Sequence, residues 1–148
     1  MDYKPIMETI SYLLAQVCKT HRGCANNTLA DIGLHAGQEM FLLRLWGYDG
    51  QTQSQLVEQL HVQPATISKM LDRLELAGLV ERRPDAEDNR VSRVYLTDAS
   101  RSLEGPVCSA WNDLEERTVT GLTLEERILL RRLLLQVLQN LSGTNPSP

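Results

Sequence analysis

A mainly α-helical fold with one small β-hairpin is what this sequence predicts, on three observations. Residues 52–77 hold two short amphipathic segments, each with a helix-start signal, separated by the turn "HVQ". Directly after them the apolar spacing changes from helical to alternating, in "LVERR" and "VSRVYL" around the polar turn "PDAEDN". Both ends of the chain return to helical spacing, and the last segment, "RILLRRLLLQVLQNL", is apolar around much of its circumference. Two short helices joined by a tight turn outline a helix-turn-helix, and a hairpin directly behind them is a wing.

The elements follow in order. Ile6, Ile10, Leu13, Leu14 and Val17 recur at helical spacing and predict a helix that continues into "KTHRGCANNT". A second helix is expected from about Ala36 to Tyr48, ended by "GYDG". Thr52 with Gln55 three residues on is a capping box, and Leu56, Val57 and Leu60 give the helix behind it an inner face. Pro64, with fixed φ and no N–H, suits the first position of the next helix, which runs to Ala77 and stops at Gly78. In the hairpin, Val94 and Leu96 face one way and Arg93 and Tyr95 the other. Thr97 caps a long helix to about Thr120, with a kink expected at Gly105-Pro106. Thr123 and Glu126 form a second capping box that opens the last helix. A terminal helix so apolar needs burial on more than one side, which predicts a partner subunit.

Composition bounds the function. At 148 residues with 42% hydrophobic content the chain suits one domain, or one domain plus an oligomerisation element. No apolar run approaches the roughly 20 residues that span a bilayer, and "MDYKPIMETI" lacks a signal peptide's features, so a cytoplasmic protein without membrane partners is expected. Cys18, Cys24 and Cys108 are an odd number with no CxxC pair, which argues against a disulfide scaffold and a cysteine-rich zinc site. His21, His35 and His61 are scattered, so no metal and no cofactor is expected. No nucleophile elbow, P-loop, dinucleotide fingerprint or HExxH appears, and no enzyme is expected.

The net charge is −4, yet it is unevenly spread: residues 61–101 balance seven Lys/Arg against seven Asp/Glu, and the whole deficit lies elsewhere. On the 64–77 helix, Ile67, Met70, Leu71 and Leu74 fall on one side and Ala65, Thr66, Lys69, Asp72 and Arg73 on the other. Small residues, a hydroxyl and two cations suit a major-groove reader, though a solvated helix face has the same look. Arg82, Arg83, Arg90 and Arg93 gather on the hairpin, with Arg90 near its tip and Asp88 placed to hold its guanidinium. An arginine there suits a narrow minor groove, while the bland reading is a surface salt bridge.

The stretch "TQSQLVEQLHVQPATISKMLDRLELAGLVERRPDAEDNRVSRVYLT" resembles the core of the MarR (multiple antibiotic resistance regulator) family of winged-helix transcription factors. The Leu-spaced first helix, "ATISKMLDRLELAGLVER", the Asp-x-Arg wing motif at Asp88 and Arg90, and "LT" before the next helix carry the resemblance. The flanking "IGLHAGQEMFLLRLW" and "LTLEERILLRRLLLQVLQNL" extend it over nearly the whole chain, as one domain of residues 1–148. It implies dimerisation helices at about 6–34 and 98–141, a winged helix-turn-helix at about 36–97 and a disordered tail at 142–148. It also implies a homodimer, a repressor whose two reader helices enter successive major grooves of double-stranded DNA at a pseudo-palindrome. Carried over by position, Ala65, Thr66, Ser68, Lys69 and Arg73 would face bases and phosphates, Gln53 and Ser54 a phosphate, and Arg90, held by Asp88, the minor groove. The family's responsiveness implies release by a small ligand or an oxidant. The expected effector pocket takes Val17, Cys18 and His21 from the first helix and His35, Gln38, Leu42 and Trp46 from the second. Ser11 stands where hydroperoxide-sensing members carry their cysteine; Cys18 and Cys24 lie near Lys19, His21 and Arg22, a neighbourhood that suits a thiolate, while an inert thiol is the favoured bland reading for each. The rival reading is a winged-helix module that binds a protein and no DNA.

Overall fold

The computed structural model describes residues 3–143. The chain divides into two compact units between Leu114 and Glu115. The first holds α1 (Lys4–Met7), α2 (Ile10–Ala30), α3 (Gln38–Gly47), β1 (Gln51–Thr52), α4 (Gln53–Leu60), α5 (Pro64–Leu76), β2 (Val80–Pro84), β3 (Ser92–Leu96), α6 (Asp98–Arg101) and most of α7 (Glu104–Val119). The second holds the end of α7 and α8 (Leu124–Ser142). The fold is mainly helical with a small antiparallel sheet, as the sequence predicts.

Local chemistry accounts for most element starts. The Thr52 hydroxyl accepts from Gln55 N while the Gln55 side chain accepts from Thr52 N, and the reciprocal pair opens α4. Thr123 and Glu126 repeat the device at α8. Thr97 and Ser100 do so at α6. Between α4 and α5 the chain turns through His61, a non-glycine residue at φ 53 that ends α4 in the left-handed region.

The core is built where these helices meet the sheet. Leu42 and Leu45 of α3, Leu56 of α4, Ile67, Leu71 and Leu74 of α5, and Val80 and Val94 of the hairpin are all buried, together with Val107 of α7. The spacing of Ile67, Leu71 and Leu74 places them on one stripe of α5. Val94 and Leu96 point inward from β3 as the alternation predicts.

Three expectations need correction. The expected 6–17 helix is interrupted at Glu8 and Thr9, because α1 ends at Met7 and Thr9 caps a new helix by accepting from Tyr12 N. The long helix after Thr97 is interrupted before Gly105-Pro106, between α6 and α7. Pro106 has no N–H and its ring opposes a helical carbonyl four residues back, so it belongs in a first turn, where α7 places it. The sheet has three strands in the order β1-β3-β2, since Gln51 and Thr52 pair antiparallel with Val94 and Arg93. A two-residue strand has no periodicity to read. Residues 144–148, most of the segment read as a tail, lie outside the described residues, while α8 extends to Ser142 and is capped by Gly143.

The second unit has a character of its own. None of the α8 residues is buried, and Ile128, Leu129, Leu133, Leu134, Leu138 and Leu141 stand open to solvent. In the first unit the N-terminal helices show a similar stripe at Ile6, Ile10, Leu13 and Val17.

Candidate nucleic-acid interface

The outward face of α5 is built by its inward one. With Ile67, Leu71 and Leu74 in the core, helical geometry turns Ala65, Thr66, Lys69, Asp72 and Arg73 outward, all exposed, with Ser68 half-buried at the edge. Pro64 at the helix start leaves its terminus without one N–H that would have no partner anyway. Gln53, half-buried, and Ser54, exposed, sit in the first turn of α4. Neither Lys69 nor Arg73 takes part in an ion pair among the described residues.

The four wing arginines, alike in sequence, are put to different uses. Arg82 pairs with Asp72 and Glu75 of α5, and its backbone N–H donates to Glu75 at 3.0 Å, which stitches β2 to the reader helix. Those hydrogen bonds from Arg82 hold the Glu75 carboxyl below its ordinary range. Arg83 pairs with Glu81 and lies 4.5 Å over the Tyr95 ring. Arg93 pairs with Asp85 and donates to the Gly50 carbonyl. Arg90 differs: its side chain is 90% exposed and is oriented only by Asp88, which accepts from Arg90 N, Nε and a terminal nitrogen. Those bonds from Arg90 lower the Asp88 pKa, so its carboxylate stays ionised at neutral pH.

The loop between β1 and α3 is tied to the same sheet. One Asp49 carboxylate oxygen accepts from Leu96 N at 2.9 Å and the other from Arg101 at 2.8 Å. Gly50, at φ 71, is required here, because a Cβ would come within 2.8 Å of the Tyr95 ring.

A cavity of about 350 Å³ lies in the first unit, lined on the α2 side by His21, Arg22 and Ala25, on the α3 side by Gly37, Glu39, Met40 and Phe41, and by Trp111 of α7. Thr66 and Met70 bring α5 to its wall. Of the seven residues expected in an effector pocket, His21 lines this cavity. Val17 and Cys18 are exposed along α2, and His35 is exposed before α3. Gln38 is buried and accepts from His35 N. Leu42 is fully buried in the core, and Trp46 donates its indole N–H to Ser100 O across 54 residues of sequence. The face of α3 toward the cavity is set by Glu39, Met40 and Phe41, whereas Leu42 and Leu45 fill the core.

Sequence reasoning overlooked Glu39, although "AGQE" carries the signal of an acid at a helix start. Its carboxylate accepts from Gly37 N at 2.8 Å, beside Asn26, which accepts from Ala36 N. Glu39 is 2% exposed, and burial pushes its pKa up despite the Gly37 hydrogen bond and the nearby His21 and Arg22 charges. An acid whose folded pKa is raised costs stability once pH rises above the unfolded value of 4.5, and costs nothing below it. Glu39→Gln, which keeps an acceptor for Gly37, is therefore expected to melt higher than the wild type at pH 7. That gain should vanish as pH falls to 4; a pH series of thermal melts with a constant difference would refute the account.

Trp111 adds a second feature, since its indole Nε1 is buried without a hydrogen-bond partner among the described residues, and its ring stands 6.2 Å from the His21 ring. Cys18 and Cys108 are exposed and Cys24 half-buried, and none is disulfide-bonded. Among the described residues no cluster of metal-ligating side chains occurs, and no helix is long and apolar enough to cross a membrane.

Comparison with known proteins matches this geometry. The model of the MarR family matches residues 34–92, from the α2–α3 connection to the first residue of β3. An uncharacterised HTH-type transcriptional regulator of Bacillus subtilis, YybA, is 22% identical over 135 residues, 91% of this chain and 90% of its own. A cysteine-to-serine mutant of MarR from E. coli, crystallised with operator DNA, superposes with a TM-score of 0.85 at 27% identity, covering 93% of this chain and 99% of the other. The S. aureus MepR–DNA complex gives a TM-score of 0.83 at 27% identity, covering 89% and 98%.

Proposed function

Since the MarR family model matches residues 34–92 and curated relatives are HTH-type transcriptional regulators, we propose that this chain is a MarR-type transcriptional regulator and not an enzyme, a cytoplasmic repressor that binds a pseudo-palindromic operator as a homodimer. The observation that carries the reading is the pairing of an outward α5 face, with Lys69 and Arg73 outside any ion pair, and a wing whose Arg90 is 90% exposed and held by Asp88. Ala65, Thr66, Ser68, Lys69 and Arg73 read the major groove, Gln53 and Ser54 hold a phosphate, and Arg90 enters the minor groove. The solved complexes of MarR and MepR with DNA support the docking of this fold on a duplex. The exposed apolar length of α8 supports the homodimer.

Release follows from the cavity. An occupant between α2, α3 and α7 bears on Thr66 and Met70 of the reader helix, so filling the cavity shifts the α5 face against DNA. The orphan indole N–H of Trp111 favours an effector that carries an acceptor on an apolar body. An oxidant acting on Cys18 or Cys24 is the other route.

The rival, a winged-helix module that binds a protein, has one observation in its favour: Arg82, Arg83 and Arg93 already have acidic partners. Salt separates the two. Lys69, Arg73 and Arg90 from two protomers give a slope of log affinity on log salt of about −5, a loss of about 10³ between 50 and 200 mM. Titrating the duplex upstream of the protein's own gene at both salts, with and without peroxide, is the test. No binding to any duplex by an intact dimer would move the assignment to the rival.

A further inference from the structure

The wing loop is held by a chain of contacts that begins in the body of the domain and ends at Arg90. Gly50, in the turn before β1, presents its carbonyl to Arg93, which donates to it at 2.9 Å. The same guanidinium donates through Nε to one carboxylate oxygen of Asp85, the first residue after β2. The second Asp85 oxygen accepts from Glu87 N and Asp88 N, both at 3.2 Å, and Asp85 N closes the loop on Val91 O at 2.8 Å. Asp88 in turn accepts from Arg90 N at 3.0 Å and from its guanidinium. Gly50 and Arg93 lie 43 residues apart in sequence, so this link anchors the wing loop to something outside the hairpin.

We propose that Arg93 is the positioning residue of the wing: by bridging Asp85 to the Gly50 carbonyl it fixes the loop that presents Arg90. A planar guanidinium suits the task, because two of its nitrogens meet two acceptors in different directions, which a single ammonium does poorly. Asp85 is 17% and Arg93 34% exposed, so the pair is shielded better than the Arg90–Asp88 pair it supports. Hydrogen bonding to Arg93 lowers the Asp85 pKa, so the bridge persists through mildly acid pH and is lost only as pH falls below the ordinary aspartate range.

The role rests on the reading that Arg90 contacts DNA, and the test separates the two. In the free protein, Arg93→Ala is expected to raise amide exchange at Glu87, Asp88 and Val91 by about ten-fold or more, while α5 amides keep their protection. Unchanged exchange in the wing overturns the bridge whatever happens with DNA. On operator DNA, Arg90→Ala and Arg93→Ala are each expected to weaken binding, and the double variant to bind no more weakly than Arg90→Ala alone. The coupling between them should be about ten-fold. Additive losses would mean that Arg93 acts independently of Arg90 and would overturn the role. No loss from Arg90→Ala, with the wing exchange raised as expected, would instead fail the minor-groove reading and the positioning role with it. Asp85→Asn, which keeps the loop acceptors and removes the charge facing Arg93, is the second variant should Arg93→Ala fold poorly, with the same expected pattern.

Discussion

Truncation before Thr123 is expected to abolish the proposed dimer and leave a chain that is monomeric or aggregates, whereas the full chain is expected to sediment at twice its 16.7 kDa. The reason is the surface that α8 leaves open. Ile128, Leu129, Leu133, Leu134 and Leu138 are each between 42% and 62% exposed, and no residue of the helix is buried. Burying one such side chain fully is worth about 1.5–3 kcal/mol, and several together exceed what a single small domain leaves in water. A point variant makes the same prediction without deleting a segment. Leu134→Asp is expected to dissociate the dimer at micromolar concentration while helical circular dichroism of the remainder persists. A full chain that sediments as a monomer, or a truncated one that stays dimeric, would show that α8 is not the contact.

Replacing Arg90 with Ala should weaken operator binding by about 1–3 kcal/mol per wing, the scale of one good contact, and by more than ten-fold for the dimer. Stability should not change, because an exposed ion pair such as Arg90–Asp88 adds little to the fold. The salt slope should fall by about one for each protomer, since one phosphate-neutralising cation is lost from each. Equal affinity and an equal slope for the variant would remove Arg90 from the interface and leave the reader helix to carry the binding.

The net charge of −4 no longer conflicts with DNA as a partner. Most of the wing's positive charge is matched by acids of the domain itself, by Asp72 and Glu75 on Arg82, Glu81 on Arg83 and Asp85 on Arg93. Lys69 and Arg73 of α5 stay outside any ion pair among the described residues, and Arg90, although paired with Asp88, is 90% exposed. On the proposed reading these few cations carry the contact with DNA, and non-specific affinity is expected to be modest.

Much of the fold was legible because its causes are local. Thr52 with Gln55 and Thr123 with Glu126 cap their helices by bonds three residues long, so spacing alone reveals them. The stripe of Ile67, Leu71 and Leu74 fixes the phase of α5, and with it the exposure of Thr66, Lys69 and Arg73. Arg90 beside Asp88 was legible for the same reason, as a contact two residues apart. The features that sequence could not reveal depend on contacts between distant residues. β1 exists only because β3 is there to pair with it. Leu42 and Trp46 belong to the core and not to the cavity because residues far along the chain pack on them, as Ser100 does on Trp46. Four arginines of one hairpin look interchangeable in sequence, and tertiary structure alone decides that Arg93 reaches Gly50 while Arg90 reaches solvent. Short-range bonds are written in spacing, whereas partners 40 to 50 residues apart are chosen only when the folded chain brings them together.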